Sequence, residues 1–240
     1  MINPIKGFLV SAIYITLSLS SFAQATQTNN DPDEDFKLAK ELYQKEQYSL
    51  AFPLFKRLLH QPPVYSKLPV TTQLETRYYN IVCGLKLNES SAVGEAKNFI
   101  AVEHHAQRIQ MLNFHLGEYY YRKQEFNEAL TFYEKAGIEN LSNREIAEMK
   151  FHQGYAYFTM QQFNLAKPLF NSIRQMPDDP NYLDANYYFG FISFYEKNYS
   201  LALESFKKVE SEPTYQKIVP YYISEILYFN GEKDNTLQEE

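Results

Sequence analysis

The stretch Leu116–Ala136, LGEYYYRKQEFNEALTFYEKA, contains two runs of helical spacing separated by a short polar turn. Gly117 and Tyr120 lie on one face of a first helix, and Ala129 and Tyr133 lie on one face of a second. Residues at a helix crossing must be small if the two axes are to approach to about 8–10 Å. We therefore interpret this stretch as a helical hairpin that closes on Gly117 and Ala129.

The same pattern recurs five times along the chain. Each copy has a small residue, an alanine twelve positions later and a large apolar residue four positions further on. The five triplets are Ala39/Ala51/Phe55, Gly84/Ala96/Ile100, Gly117/Ala129/Tyr133, Gly154/Ala166/Phe170 and Gly190/Ala202/Phe206. The alanines follow one another at intervals of 45, 33, 37 and 36 residues, close to the period of helix-turn-helix solenoids. A single hairpin cannot bury its apolar face alone, so the pattern predicts an all-α solenoid of stacked hairpins. The function of such a solenoid is expected to lie on its surface.

These residues resemble the tetratricopeptide repeat (TPR), which has a small residue, an alanine and an aromatic residue at these spacings. The match covers residues 35–214, with units at about 35–60, 75–105, 110–138, 146–176 and 182–210. Two departures are that no unit contains Trp and that the first has Ala39 in place of glycine. The resemblance implies a right-handed superhelical solenoid. The order of segments is also similar to the N-terminal part of long exported TPR proteins of Bacteroidetes-type bacteria.

Residues 1–23 are predicted to be a secretory signal peptide. One lysine precedes a mostly apolar run from Gly7 to Phe22, and small residues follow at Ala23 and Ala25. A membrane anchor is the alternative, but the run is shorter than the roughly 20 apolar residues of a spanning helix. We therefore expect an exported protein of the periplasm or cell envelope, whose membrane contact is limited to the signal segment before cleavage.

The two regions that flank the repeats are interpreted separately. Residues 24–34 are polar and without periodicity, so we expect a disordered lead-in. Residues 215–240 repeat the first-helix pattern, with Ser224 at the position of the repeated glycine. This segment is interpreted as the first helix of a sixth unit, which either caps the array or is truncated from a longer one.

Composition and motifs argue against several classes of function. With 23 basic and 29 acidic residues the net charge is −6, so binding to nucleic acid or to anionic lipid is not expected. Phosphate-binding loops and the common hydrolase and metalloprotease motifs do not occur in the sequence. His104 and His105 are adjacent and would point about 100° apart on a helix. We therefore expect a non-enzymatic protein with no metal, no cofactor and no small-molecule substrate. The single cysteine, Cys83, is expected to be a buried core residue.

In the TPR family the first helices of the units line a concave groove, and the register of the repeat gives the residues that would face it here. They are Phe114, Tyr121, Arg122, Phe151, Tyr155, Phe158, Tyr187, Phe191, Phe194 and Tyr195. Tyr and Arg are enriched at interface hot spots, so we expect a protein or peptide partner in this groove. The alternative is that these aromatic residues are core, since the chain has 21 Tyr and 18 Phe. The leading hypothesis is an exported interaction scaffold, and the alternative is a structural spacer or accessory repeat domain of a larger cell-envelope assembly.

Overall fold

The computed structural model of the chain describes residues 31–238, and the predicted signal peptide lies outside them. The described residues form twelve α-helices and no strand. The helices are α1 Pro32–Gln44, α2 Tyr48–Leu59, α3 Pro62–Tyr65, α4 Val70–Leu87, α5 Ala92–Val102, α6 Ala106–Arg122, α7 Phe126–Ala136, α8 Asn143–Thr159, α9 Phe163–Ile173, α10 Tyr182–Tyr195, α11 Tyr199–Phe206 and α12 Val219–Gln238.

The helices form five consecutive hairpins, and each hairpin packs on the next. The pairs are α1–α2, α4–α5, α6–α7, α8–α9 and α10–α11, and α12 packs on α11. The first helices also contact each other directly from α4 to α6 and from α6 to α8. This sequential packing confirms the predicted all-α solenoid.

The repeated glycines make room for a large side chain of their own hairpin. A Cβ added at Gly117 would lie 2.5 Å from the ring of Tyr133, and one at Gly190 would lie 2.9 Å from the ring of Phe206. Both rings are buried. The second hairpin differs, because Phe99 is the buried residue where the pattern predicted Ile100. In the third, fourth and fifth hairpins the triplet therefore corresponds to a close contact between a glycine and a ring.

Every hairpin turn contains one residue in the left-handed backbone conformation, and none of these residues is glycine. They are Glu46, Asn88, Gln124, Gln161 and Lys197, with φ between 58° and 61°. In the fourth hairpin the N–H of Gln161 donates to the carbonyl of Phe158 at 2.9 Å, and the N–H of Gln162 donates to the carbonyl of Tyr157 at 2.8 Å. The same pair of hydrogen bonds recurs in the other four turns. All five first helices therefore end in a Schellman motif.

Two local features differ from the prediction. Helix α1 begins at Pro32, so residues 32–34, expected in the lead-in, form its first turn. Proline at the first position and the acidic residues that follow it both favour a helix start. The long interval between the first two units contains the short helix α3.

Other predictions about single residues and segments can be placed directly. Cys83 is buried and free, as predicted, and burial raises the pKa of its thiol to about 12. No helix between residues 31 and 238 is both long enough and apolar enough to cross a membrane.

Candidate functional site: an aromatic groove and a buried polar cluster

Phe114 and Phe151 belong to the core, which corrects their prediction as groove residues. Phe114 is 2% exposed and Phe151 is 7% exposed. The ring of Phe151 lies 5.8 Å from Phe170 of its own hairpin and 6.3 Å from Tyr188 of the next hairpin, between ring centroids. The contact with Tyr188 explains the difference, because a neighbouring unit covers a side chain that the register places in the groove.

Tyr121, Arg122 and Phe194 lie at junctions between helices and do not line the groove described below. Tyr121 stacks on His152 at 3.8 Å between ring centroids. Arg122 is exposed and donates from Nη2 to the carbonyl oxygen of Leu85 at 2.7 Å, which ties α6 to the end of α4. Phe194 is half-buried against Tyr222 of α12, at 5.2 Å between ring centroids.

The other five predicted residues line one open groove of about 660 Å³. They are Tyr155, Phe158, Tyr187, Phe191 and Tyr195. Four further residues complete its lining, namely Thr159, Gln161, Phe163 and Tyr188. We call the surface formed by these nine residues the aromatic groove. It draws on α8, α10, the turn after α8 and the first residue of α9, so two consecutive hairpins build it together.

Edge-on ring contacts hold the walls of the aromatic groove. Phe158 lies 5.4 Å from Phe191, and Phe163 lies 5.1 Å from Tyr195, between ring centroids. Both pairs are close to perpendicular, the arrangement that aromatic quadrupoles favour. Tyr195 is 67% exposed, so its ring is the most accessible of the aromatic rings that line the groove.

The aromatic groove is electrically neutral. None of the nine residues that line it in the described structure carries a formal charge. Burial raises the pKa of Tyr188 above its ordinary value, so this phenol stays protonated. A surface of neutral rings with hydroxyl groups can bind apolar side chains and accept or donate single hydrogen bonds.

A second, polar group of residues lies at the junction of α6, α7 and α8. We call Glu118, Tyr133, Glu148 and His152 the polar cluster. The hydroxyl of Tyr133 donates to Oε1 of Glu118 at 2.6 Å, and His152 Nδ1 lies 2.8 Å from the same oxygen. Since a carboxylate only accepts, Nδ1 of His152 is the donor in this contact.

The two carboxylates of the polar cluster differ in environment. Burial alone would raise the pKa of Glu118, but the hydrogen bonds from His152 and Tyr133 outweigh it and hold the pKa below its ordinary value. Burial and the negative charge of Glu118 raise the pKa of Glu148. The side chain of Glu148 has no hydrogen-bond partner among residues 31–238.

The polar cluster was not predicted from the sequence, although a signal was present. The repeat register that gave the aromatic groove positions also places Glu118 and Glu148 on the same faces of α6 and α8. Only the aromatic residues and Arg122 on these faces were predicted to bind a partner. His152 lies 34 residues from Glu118, about one repeat, and stacking of consecutive units brings the two together.

Comparisons with known proteins agree with the fold. No protein-family profile and no curated protein matches the sequence. Among solved structures, the chain is similar to a Podosopora anserina protein described as a kinesin light chain of nearly identical TPR-like repeats. The TM-score is 0.52 at 14% sequence identity, over 75% of this chain and 96% of that one. At this identity the likeness shows the fold alone, an all-α array of TPR-like repeats.

Proposed function

We propose that this chain is an exported, non-enzymatic scaffold that binds protein or peptide partners in the aromatic groove. The observation that carries the proposal is the convergence of five predicted residues in one neutral, open groove of about 660 Å³. Rigid aromatic side chains provide a large contact area at low cost in conformational entropy. A helix or an extended segment with two or three large apolar side chains is the ligand that such a groove suits.

The absence of charge in the aromatic groove indicates how a partner would be selected. Selection would rest on the shape and spacing of apolar side chains, because no lining side chain in the described structure offers a charged contact. Binding should therefore change little with ionic strength, in contrast to interfaces that depend on charge pairs.

Tyr195 is the best residue with which to test the groove. It is 67% exposed, and among the described residues the only aromatic ring in contact with it is that of Phe163, so Tyr195→Ala should leave the fold intact. A photo-crosslinking amino acid at position 195 should capture a partner from the cell envelope. The affinity of that partner for the Tyr195→Ala chain should fall at least about 10-fold, as expected for an aromatic hot spot.

Tyr221 provides a matched control for this experiment. It is 60% exposed on α12 and does not line the aromatic groove. The crosslinker at position 221 should not capture the same partner, and Tyr221→Ala should bind it with unchanged affinity. Equal capture at both positions, or an unchanged affinity of Tyr195→Ala, would refute groove binding and favour the structural spacer.

Export is the part of the proposal that rests on residues 1–23. The support is the sequence pattern of a lysine, an apolar run and small residues near Ala23. Determination of the N-terminus of the mature chain after expression in a Gram-negative host tests it. We expect cleavage after Ala23 or Ala25, and a chain that keeps its first residues and stays in the cytoplasm would contradict export.

A further inference from the structure

The polar cluster goes beyond the proposed function, because a scaffold does not need two carboxylates and an imidazole beside each other at a helix junction. One ligand atom from each of Glu118, Glu148 and His152 lies within 4.8 Å of the other two. Ligands of a single Zn²⁺ ion at 2.0–2.2 Å are separated by about 3–3.5 Å. Rotation of the Glu148 side chain, together with loss of the Nδ1 proton of His152 and a small opening of its contact with Glu118, would bring all three groups to coordination distance.

Two helices, α6 and α8, position these three side chains. Glu148 and His152 are one helical turn apart on α8, and Glu118 faces them from α6. The hydroxyl of Tyr133 donates to Glu118 at 2.6 Å. A hydrogen bond of this kind to a ligating carboxylate is what fixes its orientation in metal sites.

His115 provides an independent observation next to the cluster. It is 6% exposed, and neither of its ring nitrogens has a hydrogen-bond partner among the described residues. His115 lines the same cavity as Glu148, with a volume of about 370 Å³. Both nitrogens are shielded from solvent, and a bound ion or water beside His115 would account for such an unsatisfied buried group.

The cavity is lined by charges of both signs, and its three carboxylates, Glu46, Glu145 and Glu148, outnumber its two cations. Lys86 and Arg144 line it, and Lys86 interacts electrostatically with both Glu118 and Glu148. The three ligating groups contribute two negative charges when the histidine is neutral, so a divalent cation would balance them.

We propose that Glu118, Glu148 and His152 bind a divalent transition-metal ion, for which Zn²⁺ is the best candidate, at the junction of α6 and α8. Imidazole and carboxylate together suit zinc and its neighbours in the periodic table. Calcium and magnesium prefer sets made only of oxygen ligands. The three protein groups leave a fourth coordination position, where water or a group of a partner protein can bind.

Titration of the untagged chain with Zn²⁺ alone tests the proposal. Calorimetry should detect one tight site, and Zn²⁺ at about 100 times its Kd should raise Tm by several degrees. Co²⁺ should give the visible absorption of a four-coordinate site. Ca²⁺ and Mg²⁺ should leave Tm unchanged. A wild-type chain that shows no Zn²⁺ binding below about 1 mM overturns the proposal.

Two variants separate this site from zinc bound elsewhere. Glu148→Gln removes a ligand that has no hydrogen bond to lose in the described structure, so it should fold and bind Zn²⁺ about 100-fold more weakly. Without metal its Tm should equal or exceed that of the wild type, because two like charges no longer adjoin. His152→Gln keeps a donor for Glu118 and should also lose the site.

A control variant and a variant that should bind Zn²⁺ more tightly complete the experiment. His104→Gln alters an exposed histidine and should bind Zn²⁺ like the wild type. Lys86→Met removes a positive charge from the cavity and should tighten binding several-fold. If Glu148→Gln binds Zn²⁺ as well as the wild type does, the ion occupies another place and the proposal is wrong.

Discussion

His115 shows how one buried residue makes stability depend on pH. Burial, with a smaller contribution from the charges of Lys86 and Arg122, lowers the pKa of His115 to about 3. The unfolded chain has an ordinary histidine pKa near 6.5, so between these values it binds a proton that the folded protein does not. The free energy of unfolding therefore falls as the pH drops below about 6.5.

We predict that His115→Phe removes this pH dependence. In the wild type His115 should lower the free energy of unfolding at pH 5 by about 2 kcal/mol relative to pH 8. The variant should lack this decrease. Urea unfolding at both pH values measures it, and exposed His104→Gln should behave like the wild type. An identical pH difference in the wild type and His115→Phe would show that His115 does not titrate on unfolding.

At the scale of an element, each hairpin turn contains a residue whose backbone conformation lowers the stability of the protein and would suit glycine better. A residue other than glycine in the left-handed conformation is less favourable by about 1–2 kcal/mol, and all five turns contain one. Their two hydrogen bonds use only backbone atoms, so the side chain at this position is not needed for the Schellman motif.

We predict that Gln161→Gly raises the free energy of unfolding by about 1 kcal/mol, because glycine accepts φ near +60° without a steric penalty. The neighbouring Gln162, the residue before α9, has a negative φ of −87°, which residues other than glycine adopt readily. Gln162→Gly should therefore destabilise by about 0.5–1 kcal/mol. Thermal or urea unfolding of both variants measures the contrast, and a loss of stability in both would contradict it.

The hairpins could be predicted from the sequence because a glycine and a ring must meet, and that contact fixes the spacing between Gly117 and Tyr133. The turns could not be located from residue types, since glutamine and lysine occupy positions where glycine is usual. The exposure of individual groove residues could not be predicted from the sequence either. Phe151 and Tyr155 both belong to the predicted groove face of α8, yet only the packing of α10 decides that Phe151 is covered and Tyr155 lines the groove.

At the scale of the whole molecule, stability is distributed along the described array. Each hairpin packs mainly on its neighbours in chain order, so a local change should weaken adjacent units first. Gly190 is suited to show this, because a Cβ there would lie 2.9 Å from the fully buried ring of Phe206.

We predict that Gly190→Ala destabilises the protein by about 1–2 kcal/mol and lowers hydrogen-exchange protection in α9–α12 before it affects α4–α6. Gly94→Ala is the matched control in α5, where nothing lies within 4 Å of the added Cβ. That control should stabilise by about 0.5–1 kcal/mol. A uniform loss of protection across all helices in Gly190→Ala would show that the array unfolds as one cooperative unit.

The junction of α6 and α8 differs mechanically from the junction of α8 and α10. Rings meet at the second, where Phe158 contacts both Tyr188 and Phe191, and ring contacts tolerate small sliding movements. The first also contains a ring stack, of Tyr121 on His152, but in addition His152 is hydrogen-bonded to Glu118 across it, and the strength of a hydrogen bond falls steeply with misalignment. Of these two junctions in the described array, we expect the one between α8 and α10, beside the aromatic groove, to bend more readily under load.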